Sequence, residues 1–221
     1  MRRPDRISSR SVLRQLACAL GVLTLLVAAA PAASAMPIIT VQSTEALFGG
    51  SGGFDVTLSN PGPTAITVGG FSIQLSVPGG SGVGFTGVNT NPTTAPYIFS
   101  GTGVVAIFGV PFSFDAFPNN SFIASDVEFV FPGITLGAGD TFGLGHITFD
   151  VSSPPAKVGD VIPVTLGGMT ALSDEFGNDI PFTGANGTIT ITPEAASLLI
   201  WATVTVCGGL VWTRWRKRGA S

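Results

Sequence analysis

Apolar and polar residues alternate with a period of two through most of the chain between residues 37 and 191. The segments Phe54–Leu58 and Ile162–Leu166 are clear examples, and turn residues such as Asn60-Pro61-Gly62-Pro63 separate the runs. Side chains two residues apart lie on the same face of a β-strand, whereas a helix repeats every 3.6 residues, a spacing that no run here shows. The pattern predicts an all-β domain, a two-sheet sandwich of about nine strands.

One run places the acidic residues at the polar positions. Apolar residues take every second place from Val127 to Phe131, Asp126 and Glu128 alternate with them, and Pro132-Gly133 turns the chain. We therefore predict a strand here whose apolar, odd-numbered residues share one face.

Two predicted strands change phase midway. Apolar positions are even-numbered in Ile66–Val68 but odd-numbered in Phe71–Val77, with Gly69-Gly70 at the change, and residues 142–151 change phase at Gly145. A slip of one residue would turn a buried face outwards. A glycine bulge or a crossover between the two sheets must therefore absorb each change.

The N-terminal residues have the composition of a targeting segment. Five arginines accompany the apolar run Leu16–Ala30, and Ala33-Ser34-Ala35 follows it. A basic region, an apolar region and small residues at the cleavage site make up a secretory signal peptide. We predict a signal peptide with a helical apolar core over residues 1–35, cleaved after Ala35. The alternative is an uncleaved signal anchor, which Pro31 disfavours.

A second apolar segment ends the chain. Ala195–Trp212 contains 18 residues without a charge, and a helix of that length spans roughly 27 Å of a hydrocarbon core about 30 Å thick. The four residues of a basic stop follow it: Arg214, Arg216, Lys217 and Arg218. Cations in this position favour a cytoplasmic C-terminus. We predict a transmembrane helix over residues 195–212, and a plain membrane anchor is one interpretation of it.

Residues 193–221 resemble the PEP-CTERM sorting signal of bacterial surface proteins. Pro193 and Glu194 match its motif, Ala195 stands where the family has a second proline, and the apolar run and basic end follow. The resemblance implies that an exosortase-type enzyme recognises Pro193 and Glu194 and cleaves nearby. The protein would then lie in the bacterial inner membrane transiently and afterwards at the cell surface or in the extracellular matrix.

The part between the two targeting segments, residues 36–192, is strongly acidic. Nine of the ten basic residues belong to the two ends, so Lys157 stands alone against eleven acids between Met36 and Pro193, a net charge of −10. Such a surface repels nucleic acid, whose binding requires cations. Both cysteines, Cys18 and Cys207, lie in the apolar ends, so the exported domain has no disulfide or cysteine-bound zinc.

The order of segments in the exported domain resembles the cohesin-like sandwich of extracellular proteins. The resemblance rests on Gly139–Phe142, Ile147–Asp150, the turn Val158–Asp160 and the polar loop Ser173–Ile180. It implies a cohesin-like or jelly-roll-like fold over residues 38–191. It also implies non-catalytic binding of another protein, which in that family is typically a dockerin module.

Catalytic chemistry has little support in the sequence. His146 is the single histidine, and no serine is singled out as its nucleophile, since any serine could be proposed. One histidine without a second ligand also argues against catalytic zinc. We predict that the protein is not an enzyme and has no catalytic residue, and a hydrolase centred on His146 is the weakest alternative.

One loop could bind a cation. Asp174, Glu175, Asn178 and Asp179 surround Gly177, and calcium takes several oxygen ligands of this kind. The spacing differs from that of an EF-hand, and a polar turn between two strands is the alternative interpretation. Calcium is therefore a possible cofactor, and no other is predicted.

The aromatic residues bear on the choice of partner. All sixteen phenylalanines lie in the exported domain, together with Tyr97 and no tryptophan. Sugar-binding surfaces favour Trp and Tyr, which combine a stacking face with a polar edge. Adhesion or assembly through protein contacts is thus the predicted function, and a carbohydrate-binding module of the exopolysaccharide layer is the alternative. The phenylalanine-rich stretch Phe108–Phe122 either covers one end of the sandwich or forms an exposed partner surface.

Overall fold

The protein is described by a computed structural model that covers residues 35–105, 120–152 and 155–194, all in one compact unit that begins at Ala35. The described residues form thirteen β-strands. In chain order they are β1 (Ile38–Val41), β2 (Thr44–Leu47), β3 (Ser51–Ser59), β4 (Ile66–Val68), β5 (Gly70–Ser76), β6 (Val83–Asn89), β7 (Ser121–Val127), β8 (Ile134–Leu136), β9 (Thr141–Val151), β10 (Val161–Leu166), β11 (Ala171–Ser173), β12 (Thr183–Ala185) and β13 (Gly187–Thr192).

The strands form the predicted two-sheet sandwich. One sheet has the order β12-β1-β3-β9-β6, and the other has the order β11-β5-β10-β13-β2 with β7 also paired to β5. The short pair β4–β8 stands beside them. The structure has more strands than the nine predicted because some segments divide into two short strands, as the predicted strand over Ile66–Val77 does in forming β4 and β5. The segments β1 and β2, for example, pair with different sheets although only two residues separate them.

Phenylalanine rings from both sheets form the centre of the core. Phe54, Phe85 and Phe149 of the first sheet are almost fully buried, as is Phe122 of the second. The rings of Phe85 and Phe122 meet edge to face with centroids 4.9 Å apart, which joins the two layers. Complete burial of such a side chain contributes roughly 1.5–3 kcal/mol. The alternation in β3 and β10 is confirmed, since their even-numbered apolar residues face this core.

The first predicted phase change is a crossover between sheets. β4 pairs with β8, whereas β5 pairs with β7, β10 and β11, and Gly69 lies between them. Val68 and Phe71 are both buried although their positions differ in phase. Gly69 also connects two other segments, and we call it the joint. Its N–H donates to the Ser173 carbonyl and its carbonyl accepts from the Glu128 N–H, each at 2.8 Å.

The second predicted phase change is a β-bulge in a continuous strand. Val56 of β3 pairs with Gly145, but the next residue, Thr57, pairs with Gly143. Leu144 is thus the extra residue of β9, and both Leu144 and Ile147 are fully buried. The bulge keeps the apolar residues of both halves of β9 in the core, as expected for a β-bulge.

The predicted phase of the strand around Val127 is wrong. β7 buries Phe122, Ala124 and Asp126, and it ends at Val127, which is half exposed. The upstream residues determine the phase, because they face the core and period-two geometry then carries the even-numbered Asp126 inwards. The phenylalanines that follow, Phe129 and Phe131, therefore lie in an exposed turn.

Several predicted segments fall outside the described residues. These are the signal peptide up to Ser34, the transmembrane helix over 195–212, the basic stop from Arg214 to Arg218, and most of the stretch Phe108–Phe122. Among the residues that the structure does describe, no helix has the length and apolarity needed to cross a membrane. β13 continues to Thr192, so that Pro193 of the sorting motif follows the last strand directly.

The joint at Gly69 yields a prediction about stability. A Cβ atom there would lie 2.5 Å from the carbonyl oxygen of Asp174 and 2.8 Å from the Cα of Glu175, both backbone atoms that cannot rotate away. We expect Gly69→Ala to lower the free energy of unfolding by about 1–3 kcal/mol. Thermal unfolding of the purified chain followed by circular dichroism measures this loss. Gly168→Ala is the matched control, because nothing lies within 4 Å of its added methyl group; equal melting temperatures for the two variants would contradict the prediction.

Candidate functional site

His146 is paired with a buried carboxylate. Asp55 of β3 and His146 of β9 lie opposite each other in the sheet, and His146 Nδ1 is 2.7 Å from Asp55 Oδ1. The other oxygen of Asp55 accepts hydrogen bonds of 2.7–3.0 Å from the N–H groups and hydroxyls of Thr93 and Thr94. Burial opposes the ionisation of Asp55, but the hydrogen bonds from His146, Thr94 and Thr93 outweigh it and hold its pKa below the usual value.

This pair has one feature of a catalytic triad, but the described residues place no nucleophile beside it. In a triad the acid orients the histidine through Nδ1, and Nε2 faces a hydroxyl or thiol. Here Nε2 lies over the backbone of Gly53, where a Cβ would be 2.5 Å away. No serine or threonine hydroxyl of the described residues hydrogen-bonds to Nε2. The network instead fastens the loop of Thr93 and Thr94 to the sheet.

Tyr97, the one tyrosine of the chain, is hydrogen-bonded to a second buried carboxylate, that of Asp126. The Tyr97 hydroxyl donates to Asp126 Oδ2 at 2.6 Å, and the N–H groups of Val105 and Val127 donate to Oδ1 at 3.2 and 2.8 Å. Burial and the neighbouring carboxylate raise the pKa of Tyr97 well above its usual value. A tyrosine held in this way cannot stack on a sugar, because its ring is 95% removed from solvent.

The predicted calcium loop is held by its own hydrogen bonds. Asp174 accepts from the N–H groups of Phe176 and Asn178 and from the Asn178 side chain, at 2.8, 2.8 and 2.9 Å. The Asn178 side chain is the main cause of a lowered pKa at Asp174. Glu175 and Asp179 line different hollows on the surface. The described residues contain no group of three or more His, Cys, Asp or Glu side chains suited to a metal ion, and calcium binding stays a prediction.

Two loops expose a cluster of large apolar side chains. We call it the phenylalanine patch, and it consists of Phe129, Val130, Phe131 and Phe176. The side chains of Phe131 and Phe176 are 67% and 71% exposed, and their rings meet edge to face with centroids 5.8 Å apart. Phe176 comes from the predicted calcium loop, and the other three residues follow β7. Clusters of exposed apolar residues on a soluble domain mark interaction surfaces.

Backbone contacts hold the two loops of the patch together. The joint at Gly69 bonds to Glu128 on one side and to Ser173 on the other, at the base of each loop. The Phe129 N–H donates to the Thr102 carbonyl at 3.0 Å, and the Thr102 hydroxyl donates to a Glu128 carboxylate oxygen at 2.9 Å. The loops are therefore tied to the sandwich at several points.

A hollow of about 180 Å³ lies within the patch. Its lining combines patch residues with two acidic ones and two glycines: Phe129, Val130, Phe131, Glu128, Glu175, Gly69 and Gly133. The sequence left two alternatives for Phe108–Phe122, a cover over the sandwich or an exposed partner surface; of that stretch Phe122 is fully buried, and residues 108–119 lie outside the described residues. Pro132 and Gly133, which turn the chain directly after Phe131, were the sequence signals that could have indicated an exposed loop here.

The predicted signal-cleavage, sorting and basic-stop residues do not belong to the phenylalanine patch. Ala35 and Glu194 are exposed, Pro193 is half-buried, and Ala33 and the basic stop lie outside the described residues. Of the predicted site residues that the structure describes, only Glu175 of the predicted calcium site lines the hollow in the patch.

Comparison with known proteins supports the fold. No protein-family model and no curated protein matches the sequence. Three of the similar solved structures are cohesins. One from Clostridium acetobutylicum is 17% identical with a TM-score of 0.54, covering 72% of this chain and 92% of its own. The sixth cohesin of Acetivibrio cellulolyticus scaffoldin B, solved with a dockerin, is 13% identical with a TM-score of 0.53 and coverages of 71% and 99%.

The third is a non-cellulosomal cohesin from the archaeon Archaeoglobus fulgidus, 20% identical, with a TM-score of 0.50 and coverages of 74% and 96%. The fold of this protein is therefore a cohesin-like β-sandwich, as its segment order suggested. At these identities the likeness concerns the fold alone.

The network around Asp55 yields a prediction with a defined pH dependence. Thr94→Val removes a hydroxyl that donates to Asp55 at 2.8 Å, and we expect it to lower the free energy of unfolding at pH 7 by about 1–2 kcal/mol. Because the folded pKa of Asp55 lies below the unfolded value near 3.8, this contribution is complete above pH 3.8 and is lost as the pH falls through the folded pKa.

Urea unfolding at a series of pH values tests this expectation. The difference between the native chain and Thr94→Val should be constant near neutrality and should narrow in acid. Thr135→Val, at an exposed position of β8, is the control and should have little effect. A difference that persists unchanged at low pH would show that Thr94 does not act through the Asp55 carboxylate.

Proposed function

We propose that the protein is an exported, non-catalytic binding module that attaches to another protein through the phenylalanine patch. The observation that carries this proposal is the exposure of Phe131 and Phe176 on loops that backbone hydrogen bonds hold in place. Burying apolar surface gains about 25 cal/mol per Å². Aromatic residues that are fixed before binding lose little further freedom on contact, and such residues dominate interface energies.

The fold is consistent with such a role. Cohesins with similar folds have been solved in complexes with dockerins, so a sandwich of this shape can carry a protein-binding surface. A non-catalytic role is also in keeping with His146, whose Nε2 receives no hydrogen bond from a serine or threonine hydroxyl in the described part of the chain. The carbohydrate-binding alternative is less well supported, because the exposed aromatic rings of the described residues are phenylalanines without a polar edge.

Export and sorting belong to the same proposal. The signal peptide would direct secretion, and an exosortase-type enzyme would act at Pro193 and Glu194 before the protein reaches the cell surface or matrix. The position of these residues suits cleavage, since they follow β13 directly and a cut there removes no strand. The membrane is then a transient location, and the final partner is an extracellular protein.

The mass of the mature protein tests this processing. We expect the protein released from the cell surface to begin at Met36 and to end near Glu194, as measured by intact mass spectrometry. Pro193→Ala combined with Glu194→Ala should leave the C-terminal segment attached and should retain the protein in the membrane fraction. A wild-type protein that still carries Arg214–Arg218 at the surface would mean a simple anchor instead.

The patch itself is tested by substitution. The native chain is immobilised and exposed to surface proteins of the producing cell, beside the double variant Phe131→Ser, Phe176→Ser. Loss of two anchor residues costs on the order of 2–4 kcal/mol, so we expect retention of the partner to fall roughly 30-fold or more. Val161→Ser is the control, because Val161 is 60% exposed but lies on β10, away from the two patch loops.

Equal retention by the double variant would refute the patch as the binding surface. Because the substituted side chains are exposed, the melting temperature should stay close to that of the native chain, and this measurement separates lost binding from lost folding.

A further inference from the structure

The hollow in the phenylalanine patch is lined by two carboxylates as well as by aromatic rings. Glu128 and Glu175 both border it, beside Phe129 and Phe131. Glu128 accepts one hydrogen bond, from Thr102, and Glu175 makes no side-chain hydrogen bond to any described residue. Among residues 35–105, 120–152 and 155–194 the single ion pair is His146–Asp55, so neither glutamate has a cation opposite it there.

This combination of groups suits a cation more than a neutral apolar group. The face of an aromatic ring carries negative charge density and attracts ammonium or guanidinium groups. A carboxylate adds a charge-assisted hydrogen bond. The hollow measures about 180 Å³, and a cavity of about 150 Å³ can hold a benzene molecule. It therefore has room for the end of one side chain.

The charge of the domain points to a cation from another protein. Lys157 is the single Lys or Arg between Met36 and Pro193, against eleven acids. Two such domains that met face to face would bring their glutamates together, and like charges across an interface oppose binding. A second copy of the exported domain is thus a poor occupant, whereas a partner with a basic residue is complementary.

We infer that the hollow receives an arginine or lysine side chain of a partner protein, whose neighbouring apolar residue packs on Phe131 and Phe176. This inference rests on the proposed function, because it uses the same patch and adds the chemistry of the partner. The rings supply most of the buried area, and Glu128 and Glu175 select a cationic residue at the centre of the contact.

A pair of peptides that differ only in charge tests the inference. The probes are acetyl-Leu-Arg-Leu-amide and the same peptide with citrulline, the neutral isostere of arginine, and ligand-observed NMR with the purified full-length chain measures both dissociation constants. We expect the citrulline peptide to bind at least ~5-fold more weakly. Glu175→Gln and Glu128→Gln should each weaken binding of the arginine peptide roughly 3- to 10-fold and should leave the citrulline peptide unaffected.

Asp150→Asn is the matched control for net charge. Asp150 is an exposed acid of β9 that does not line the hollow, and its loss should leave the arginine peptide unaffected. Three results would overturn the inference: no detectable binding of the arginine peptide, equal binding of the two peptides, or an equal effect of Asp150→Asn and Glu175→Gln. The last would mean a general attraction to an acidic domain.

Retention of the native partner separates this inference from the proposed function. If the double variant Glu128→Gln, Glu175→Gln keeps the partner while Phe131→Ser, Phe176→Ser loses it, the patch binds an apolar partner and the inference fails alone. If both double variants keep the partner, the proposed function fails as well. A dimer of the native chain in sedimentation that Phe131→Ser abolishes would identify a second copy as the occupant and would also refute the inference.

Discussion

The phenylalanine patch depends on a carboxylate inside the protein. Asp126 is 3% exposed, and an ionised group in that position would be costly without hydrogen bonds. Tyr97 and two backbone N–H groups provide them. Because Asp126 faces inwards, Val127 faces outwards, the strand ends, and the following phenylalanines emerge on the surface. The interior of the sandwich thus determines where its exposed aromatic residues lie.

A buried polar side chain that hydrogen-bonds to a loop occurs at three places in the described core. Asp55, Asn60 and Asp126 are the buried polar or charged side chains of the described core, and each fastens a loop to a strand. The Asn60 amide donates to the carbonyls of Thr64 and Leu136 at 2.8 and 3.0 Å and so joins two distant segments. Residues 36–192 contain no cysteine, and the described loops are held by satisfied internal hydrogen bonds, which are stronger in the low dielectric of the core.

The sequence predicts the sandwich and both phase changes because these follow from local alternation and glycine. It does not predict which phase faces inwards at β7. The buried Phe122 and Ala124 set that phase against the apolar run Val127–Phe131. The inward Asp126 is then stabilised by Tyr97, which lies 29 residues earlier, and no local pattern records such a partner. The sequence analysis considered an exposed aromatic surface only at Phe108–Phe122, beside the alternative that this stretch covers the sandwich, and did not predict the phenylalanine patch. Glu175 was identified as a candidate calcium ligand, but its place beside Phe131 in the lining of the hollow depends on the joint at Gly69, where two loops far apart in sequence meet.

The end of β13 has a mechanical consequence. β13 lies between β10 and β2, antiparallel to one and parallel to the other, and it ends one residue before Pro193. A tension applied at Pro193 would therefore act directly on a strand within the sheet. The hydrogen bonds between paired strands run across the strand direction. A pull along β13 would therefore act as shear on its bonds to β10 and to β2 at the same time. A protein held at Pro193 and bound at its patch would meet that pull first in the hydrogen bonds between β13 and its two neighbours.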